Sequence, residues 1–224
     1  TNIPSFRLPA DVLDEEIYRI IDMGAELKLN SYIDKLKPVI DEYDSVFIGT
    51  GAPKGKDLNL KGREISSENI HIGIDWLTSI AFEHVKKIGK KVVVIGGGNT
   101  AMDCCRSALR LGATDVKVTV RSPFSQMKAS EWEIEETMEE GIPILDNTSP
   151  KEFLFDDKGK LCGVKFEKME QVEIDGRKKM QSTGEELTIE CDDVLLAIGQ
   201  ENAFPWIEKD LSLIHISEPT RPLE

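Results

Sequence analysis

Gly96, Gly98 and Ala101 follow directly on Val92, Val93, Val94 and Ile95 in the run "VVVIGGGNTA", and this is where the chain could hold a ligand by its backbone. In a Gly-x-Gly-x-x-Ala turn the first glycine allows a tight bend, the second lets a pyrophosphate approach the main chain, and the alanine lets helix and strand pack closely. Gly97 lies between them. Unpaired N–H groups at the start of the helix, near Asn99 and Thr100, would meet the negative phosphates. The chemistry this predicts is the holding of a dinucleotide.

The surrounding elements agree with that reading. Val92 to Ile95 is β-branched without a break, as suits a parallel strand covered on both faces. An amphipathic helix over Thr100 to Leu111 and a second strand over Val116 to Val120 complete a unit of roughly 30 residues. The end of that second strand decides between dinucleotides, because an acid there bonds a ribose hydroxyl whereas an arginine accommodates a 2′-phosphate. Here Arg121 is followed by Ser122, then Lys128, with no acid between, so NADPH is expected and NADH is the alternative.

Two further glycine-rich strand ends stand at Gly49 to Ala52 ("GTGA") and at Ala197, Ile198 and Gly199. Ligands of open α/β sheets bind at strand ends. Cys104 and Cys105 are adjacent, which rules out a CxxC pair and marks them as small buried apolar residues. His71 and His84 have no partners at ligand spacing, so no metal site is expected.

Before the glycine turn, periodicity predicts a helix over Asp11 to Met23 stopped by Gly24, short strands over Ala25 to Asn30 and Tyr43 to Ala52, and a helix over Ile74 to Lys87. After it, Glu131 to Gly141 reads as an acidic helix with a solvated face, Trp132 and Ile134 turned inward. "IPIL" reads as a strand. Alternating runs at Glu152 to Phe155, Leu161 to Lys168 and Glu185 to Glu190 suggest an antiparallel meander, and Asp192 to Gln200 a last apolar strand.

The chain has 224 residues, a net charge of −13, 40% hydrophobic and 31% charged residues, enough for a folded core. That acidity argues against nucleic acid or an anionic membrane as partner. No apolar run reaches the roughly 18 to 20 residues that cross a bilayer, and no signal peptide opens the sequence. A reduced, cytoplasmic setting is expected from the cysteines.

Taken together and in order, "NIPSFRLPADVLDEEI", "VFIGTGAP", "VVVIGGGNTAMDCCRSALRLGA" and "DDVLLAIGQ" resemble the glutamate synthase small-subunit family and its flavoprotein relatives. The resemblance runs over about residues 2–210. It implies an α/β FAD/NAD(P)-binding Rossmann-like fold, a parallel sheet with helices plus a small antiparallel meander, as an incomplete two-dinucleotide flavoprotein. It implies an oxidoreductase passing electrons from NAD(P)H through FAD to iron–sulfur clusters and a partner subunit, the large catalytic subunit or another electron acceptor.

Carried across by residue, the resemblance places Gly97, Gly98, Asn99 and Thr100 on the pyrophosphate and Arg121 with Lys128 on the 2′-phosphate. Ala197, Ile198 and Gly199 would line the nicotinamide, Arg7 would contact FAD, and the turn containing Gly49 and Gly51 would lie where the chain crosses between nucleotide domains. Many relatives have a basic pair in place of Arg121 and Ser122, and "MPA" in place of "MKA" at Met127 to Ala129. Expected domains are a partial FAD segment over 1–60, an NAD(P)H domain over 61–191 and a return strand over 192–210. Residues 211–224 read as a sequencing-adapter artefact, and the chain as an inactive fragment starting after the first FAD fingerprint. Rival readings are an electron-input subunit of a formate dehydrogenase or hydrogenase-type complex, and a non-catalytic nucleotide-binding module.

Overall fold

Val92 and Val94 face one way and Val93 and Ile95 the other, and each pair is buried in a different core, which is what a strand between two covering layers requires. This is a computed structural model that describes residues 2–65, 68–174, 177–201, 203, 204 and 207. The artefact expected over 211–224 lies outside the described residues. The chain divides into a larger unit, Thr1–Pro9 with Gly55–Gln200, and a smaller one, Ala10–Lys54 with Glu201–Glu224.

In chain order the elements are α1 (Ala10–Asp22), α2 (Lys37–Glu42), β1 (Lys54–Gly55), β2 (Ile70–Ile72), α3 (Gly73–Ala81), β3 (Lys91–Ile95), α4 (Asn99–Arg110), β4 (Asp115–Thr119), α5 (Glu131–Glu139), β5 (Ile144–Leu145), β6 (Thr148–Phe155), β7 (Leu161–Ile174), β8 (Arg177–Glu190), β9 (Asp193–Leu196) and β10 (Gln200–Glu201). The two-residue strands β1 and β10 pair with each other.

The larger unit has three layers. Its middle is a five-stranded parallel sheet in the order β2-β9-β3-β4-β5. One face packs on α3 and α4 through Trp76, Leu77, Ala101, Met102, Cys104, Cys105 and Ala108. The other is covered by the antiparallel sheet β6-β7-β8, whose Phe153, Val164, Phe166 and Ile189 meet Val93, Ile95, Val194 and Leu196. The parallel sheet with helices and the antiparallel meander are therefore both present, and the meander strands run longer than the sequence pattern alone marks out.

The unit's limits differ from those read in sequence. The strand expected to leave at residue 192 is β9, paired on both sides by β2 and β3, because Val194, Leu195 and Leu196 are apolar enough to be buried between the layers. Residues 1–9 also belong to the larger unit.

In the smaller unit α1 ends as expected, with Gly24 in the left-handed region at φ +98°. The strands expected over Ala25 to Asn30 and Tyr43 to Ala52 do not form, and Phe47 is 95% exposed. Alternation in Ala25 to Asn30 and the apolar run in Tyr43 to Ala52 propose strands, but a strand needs a neighbour to satisfy its N–H and C=O groups, and neither segment has one among the described residues.

Candidate functional site

β3 ends at Ile95 and α4 begins at Asn99, so the three glycines make the whole connection. They are bare for three different reasons. Gly96 has φ +145° and lies so close to β9 that a Cβ would run into the carbonyl of Ala197. A Cβ on Gly97 would sit 2.8 Å from a methyl of Val120 at the end of β4. At Gly98 the backbone is ordinary and extended, φ −107° and ψ 177°, and a Cβ would meet nothing within 4 Å. Neither strain nor protein packing accounts for Gly98, whereas a ligand lying against the backbone would.

The Gly98 carbonyl accepts the N–H groups of Ala101 at 2.9 Å and Met102 at 3.3 Å. The amides of Asn99 and Thr100 precede these helical bonds, at the positive end of the α4 dipole. Ala101, fully buried, presses α4 onto the sheet.

A second segment closes over the turn. The N–H groups of Lys128 and Ala129 donate to the Gly97 carbonyl at 2.9 and 3.0 Å, and Ser130 donates from its backbone to the Asn99 side-chain oxygen at 2.9 Å. Lys128 is thereby held beside the glycines. Arg121 follows the end of β4; it and Lys128 are exposed, and no acidic partner for either is found among the described residues. Ser122 accepts the Asn147 N–H through its carbonyl, and Asp146 accepts the Phe124 N–H at 2.9 Å, so this turn is pinned from β5's far end. Asp146 and Ser130 were not marked in the sequence, because each acts on a turn many residues away.

Ala197 donates its N–H to the Ile95 carbonyl at 2.8 Å, continuing the β9–β3 ladder to the glycine turn. Ile198 packs partly on the meander core, and Gly199 is exposed with φ +115°. The structure thus brings Gly96–Ala101, Val120–Ser122, Lys128 and Ala197–Gly199 to the C-terminal ends of β3, β4 and β9. Gly49 and Gly51 belong to the smaller unit, where Gly51 has φ +68°.

Arg7, for which the resemblance implies a flavin contact, stands on the outer side of α4. Its guanidinium donates to both oxygens of Asp103 at 2.6 and 2.7 Å and forms an ion pair with Glu133 on α5. Glu133, fully buried, also accepts from Arg106 at 3.1 Å, and Arg106 reaches Glu136 and Glu140 as well. Burial raises the Asp103 carboxyl above its ordinary range against the opposing pull of Arg7. The acidic helix therefore turns Glu133 and Ile134 inward and leaves Trp132 55% exposed. Opposite charges on α4 and on residues 2–9 reverse the pattern that polarity alone predicts.

Cys104 and Cys105 are buried on α4, and burial pushes the Cys105 thiol up to about 12 and that of Cys104 well above its ordinary value. They are packing groups. His71 bonds Asp193 at 3.0 Å, and no cluster able to hold a metal occurs among the described residues. No helix among the described residues is long and apolar enough to cross a membrane.

Comparison with known proteins places this geometry. The family model of pyridine nucleotide-disulphide oxidoreductases matches residues 12–215. The chain is 34% identical over 218 residues to the NADPH-Fe(3+) oxidoreductase subunit beta of Geobacter sulfurreducens, covering 94% of this chain and 32% of that protein. It is 31% identical over 221 residues to a glutamate synthase [NADPH] small chain of Halomonas elongata, covering 92% and 46%. The chain thus spans 32% and 46% of the length of these two relatives. The fold is shared with Mycobacterium tuberculosis FprA in complex with NADPH, at a TM-score of 0.66 and 18% identity, covering 83% of this chain and 58% of that one.

Proposed function

Because the chain belongs to the pyridine nucleotide-disulphide oxidoreductase family, we propose that it is the NADPH-binding part of a flavoprotein that passes electrons from NADPH through FAD to iron–sulfur centres and a partner subunit, in the manner of a glutamate synthase small chain. The observation that carries this reading is the empty space at Gly98, at the N-terminus of α4, where no described residue requires a glycine.

The residues fit the cofactor. Gly97, Gly98 and the amides of Asn99 and Thr100 would hold the pyrophosphate, Arg121 and Lys128 the 2′-phosphate with Ser122 beside them, and Ala197 to Gly199 the nicotinamide. Gly96 and Ala101 shape the turn without touching the ligand. The bound cofactors supply hydride donation by the nicotinamide and its acceptance by the flavin. What this chain contributes is orientation: strand β9 sets Ala197 against the turn, and the Lys128–Ser130 segment closes one side.

The FAD, the clusters and the partner are part of the same proposal, resting on the family resemblance, and a cytoplasmic setting rests on the unpaired cysteines. Gly49 and Gly51, in the smaller unit, would lie on the FAD side. Anaerobic addition of NADPH to the complete FAD-loaded flavoprotein tests it. Bleaching of the flavin absorption is expected, and a flavin that stays oxidised while NADPH binds would leave the non-catalytic nucleotide-binding module as the better account.

A further inference from the structure

Residues 127–130 are fastened to the glycine turn at successive points. Met127 lies beside Gly97, its Cγ 3.6 Å from where a Gly97 Cβ would stand. The N–H groups of Lys128 and Ala129 both donate to one atom, the Gly97 carbonyl oxygen. Ser130 then donates its N–H to Asn99 Oδ1 at 2.9 Å, and its hydroxyl donates weakly to the same oxygen at 3.4 Å. A main-chain N–H only donates, so the Asn99 amide must present its oxygen at this point.

The Asn99 bond supplies what the other two leave open. Two bonds that converge on one oxygen let the segment swing about that atom, whereas a further bond to a different acceptor fixes its direction. Within the segment Ala129 is buried and Lys128 is exposed, with no acidic partner among the described residues. The lysine side chain is a flexible four-carbon stem, so where its ammonium can stand depends on the main chain that carries it. Ser130 also directly precedes α5, yet its side chain makes no cap on that helix. A serine there ordinarily bonds the helix's own N–H groups; this one is turned to Asn99 instead.

We propose that the Asn99 side chain is a positioning group for dinucleotide choice: its oxygen holds the segment so that the Lys128 ammonium meets a 2′-phosphate, which raises the preference for NADPH over NADH. The inference rests on the NADPH reading above and deepens it. It is separate from the role of the Asn99 main-chain amide, which faces the pyrophosphate that both dinucleotides share and so discriminates neither. A net hydrogen bond corresponds to roughly three- to tenfold in an equilibrium, and that is the size of the preference assigned to this oxygen.

The test titrates NADPH and NADH into the parent chain, Asn99→Ala, Lys128→Ala and the double variant, and reads the ratio of the two affinities. Asn99 is exposed, and alanine leaves its main-chain amide in place. Asn99→Ala is expected to lower the NADPH-over-NADH ratio about three- to tenfold with NADH binding close to that of the parent. In the Lys128→Ala background the same change should move the ratio by less than about 1.5-fold, because the two residues act as one unit. Ser130→Pro removes the donor at a φ of −64° that proline shares, and should lower the ratio likewise. Equal weakening of both dinucleotides by Asn99→Ala, or the same loss of ratio without Lys128, would overturn the proposal. A parent chain that binds neither dinucleotide overturns the NADPH reading and this inference with it, whereas a parent that prefers NADPH and an Asn99→Ala ratio that stays put overturn this inference alone.

Discussion

Gly96 and Gly98 are two residues apart and carry different loads, which makes them separable by the same substitution. Gly96→Ala forces a Cβ into the Ala197 carbonyl at a φ of +145°, a conformation that disfavours any side chain. We expect it to lower the thermal unfolding midpoint by several degrees, from a cost of about 2 kcal/mol or more. Gly98→Ala adds a Cβ that meets no atom of the described residues within 4 Å, so its unfolding midpoint should stay close to that of the parent while NADPH affinity falls about tenfold or more, a cost of some 1.4 kcal/mol. Equal loss of stability in both variants, measured by calorimetric melting, would remove the argument from Gly98. The motif itself was legible in sequence because strand, turn and helix are contiguous there. The division of labour among its glycines was not, because Ala197 and Val120 come from other strands.

At the scale of elements, α4 is held from both sides. Its inner face packs on the sheet, and its outer side carries Asp103, Arg106 and Arg110, which meet Arg7, Glu133, Glu136 and Glu140; the Phe6 ring lies 3.9 Å from the Arg110 guanidinium carbon. Breaking a buried pair leaves an uncompensated charge, so Glu133→Gln is expected to cost about 3 kcal/mol, whereas Glu136→Gln, half exposed, should stay within about 1 kcal/mol. Urea unfolding of the two variants decides this, and equal small losses would mean that the network is slack. Asp193 ties the start of β9 to His71, Asn69 and the Gly89 N–H. Burial works to raise its carboxyl, but those three bonds outweigh it and hold it below 3.8. A depressed carboxylate stabilises the fold above its unfolded value and loses that contribution as pH falls through the folded one. Stability of the parent chain should therefore fall more steeply below pH 3.8 than that of Asp193→Asn; parallel acid limbs would contradict it. Neither cluster was legible beforehand, since residues 7, 103 and 133 lie on separate elements and the sequence rule for an acidic helix assigns Glu133 to solvent.

At the scale of the molecule, the two units differ in how much of themselves they bury. The larger encloses two cores, while α1 of the smaller buries no residue and Met23, Tyr32 and Phe47 are almost wholly exposed. This is why strand readings succeeded in one unit and failed in the other: Val92 to Ile95 has a partner on each side, whereas Tyr43 to Ala52 has only its own apolar run. The NADPH site proposed here lies entirely within the larger unit, and the acidity of the chain, −13 overall, leaves Arg121 and Lys128 as a local positive exception. The most direct test of that claim is an isothermal titration of the chain with NADPH and, separately, with NADH. One site is expected, with NADPH bound about tenfold or more tightly than NADH through charge-assisted bonds to the 2′-phosphate. A folded chain that gives no heat of binding with either dinucleotide would contradict the account.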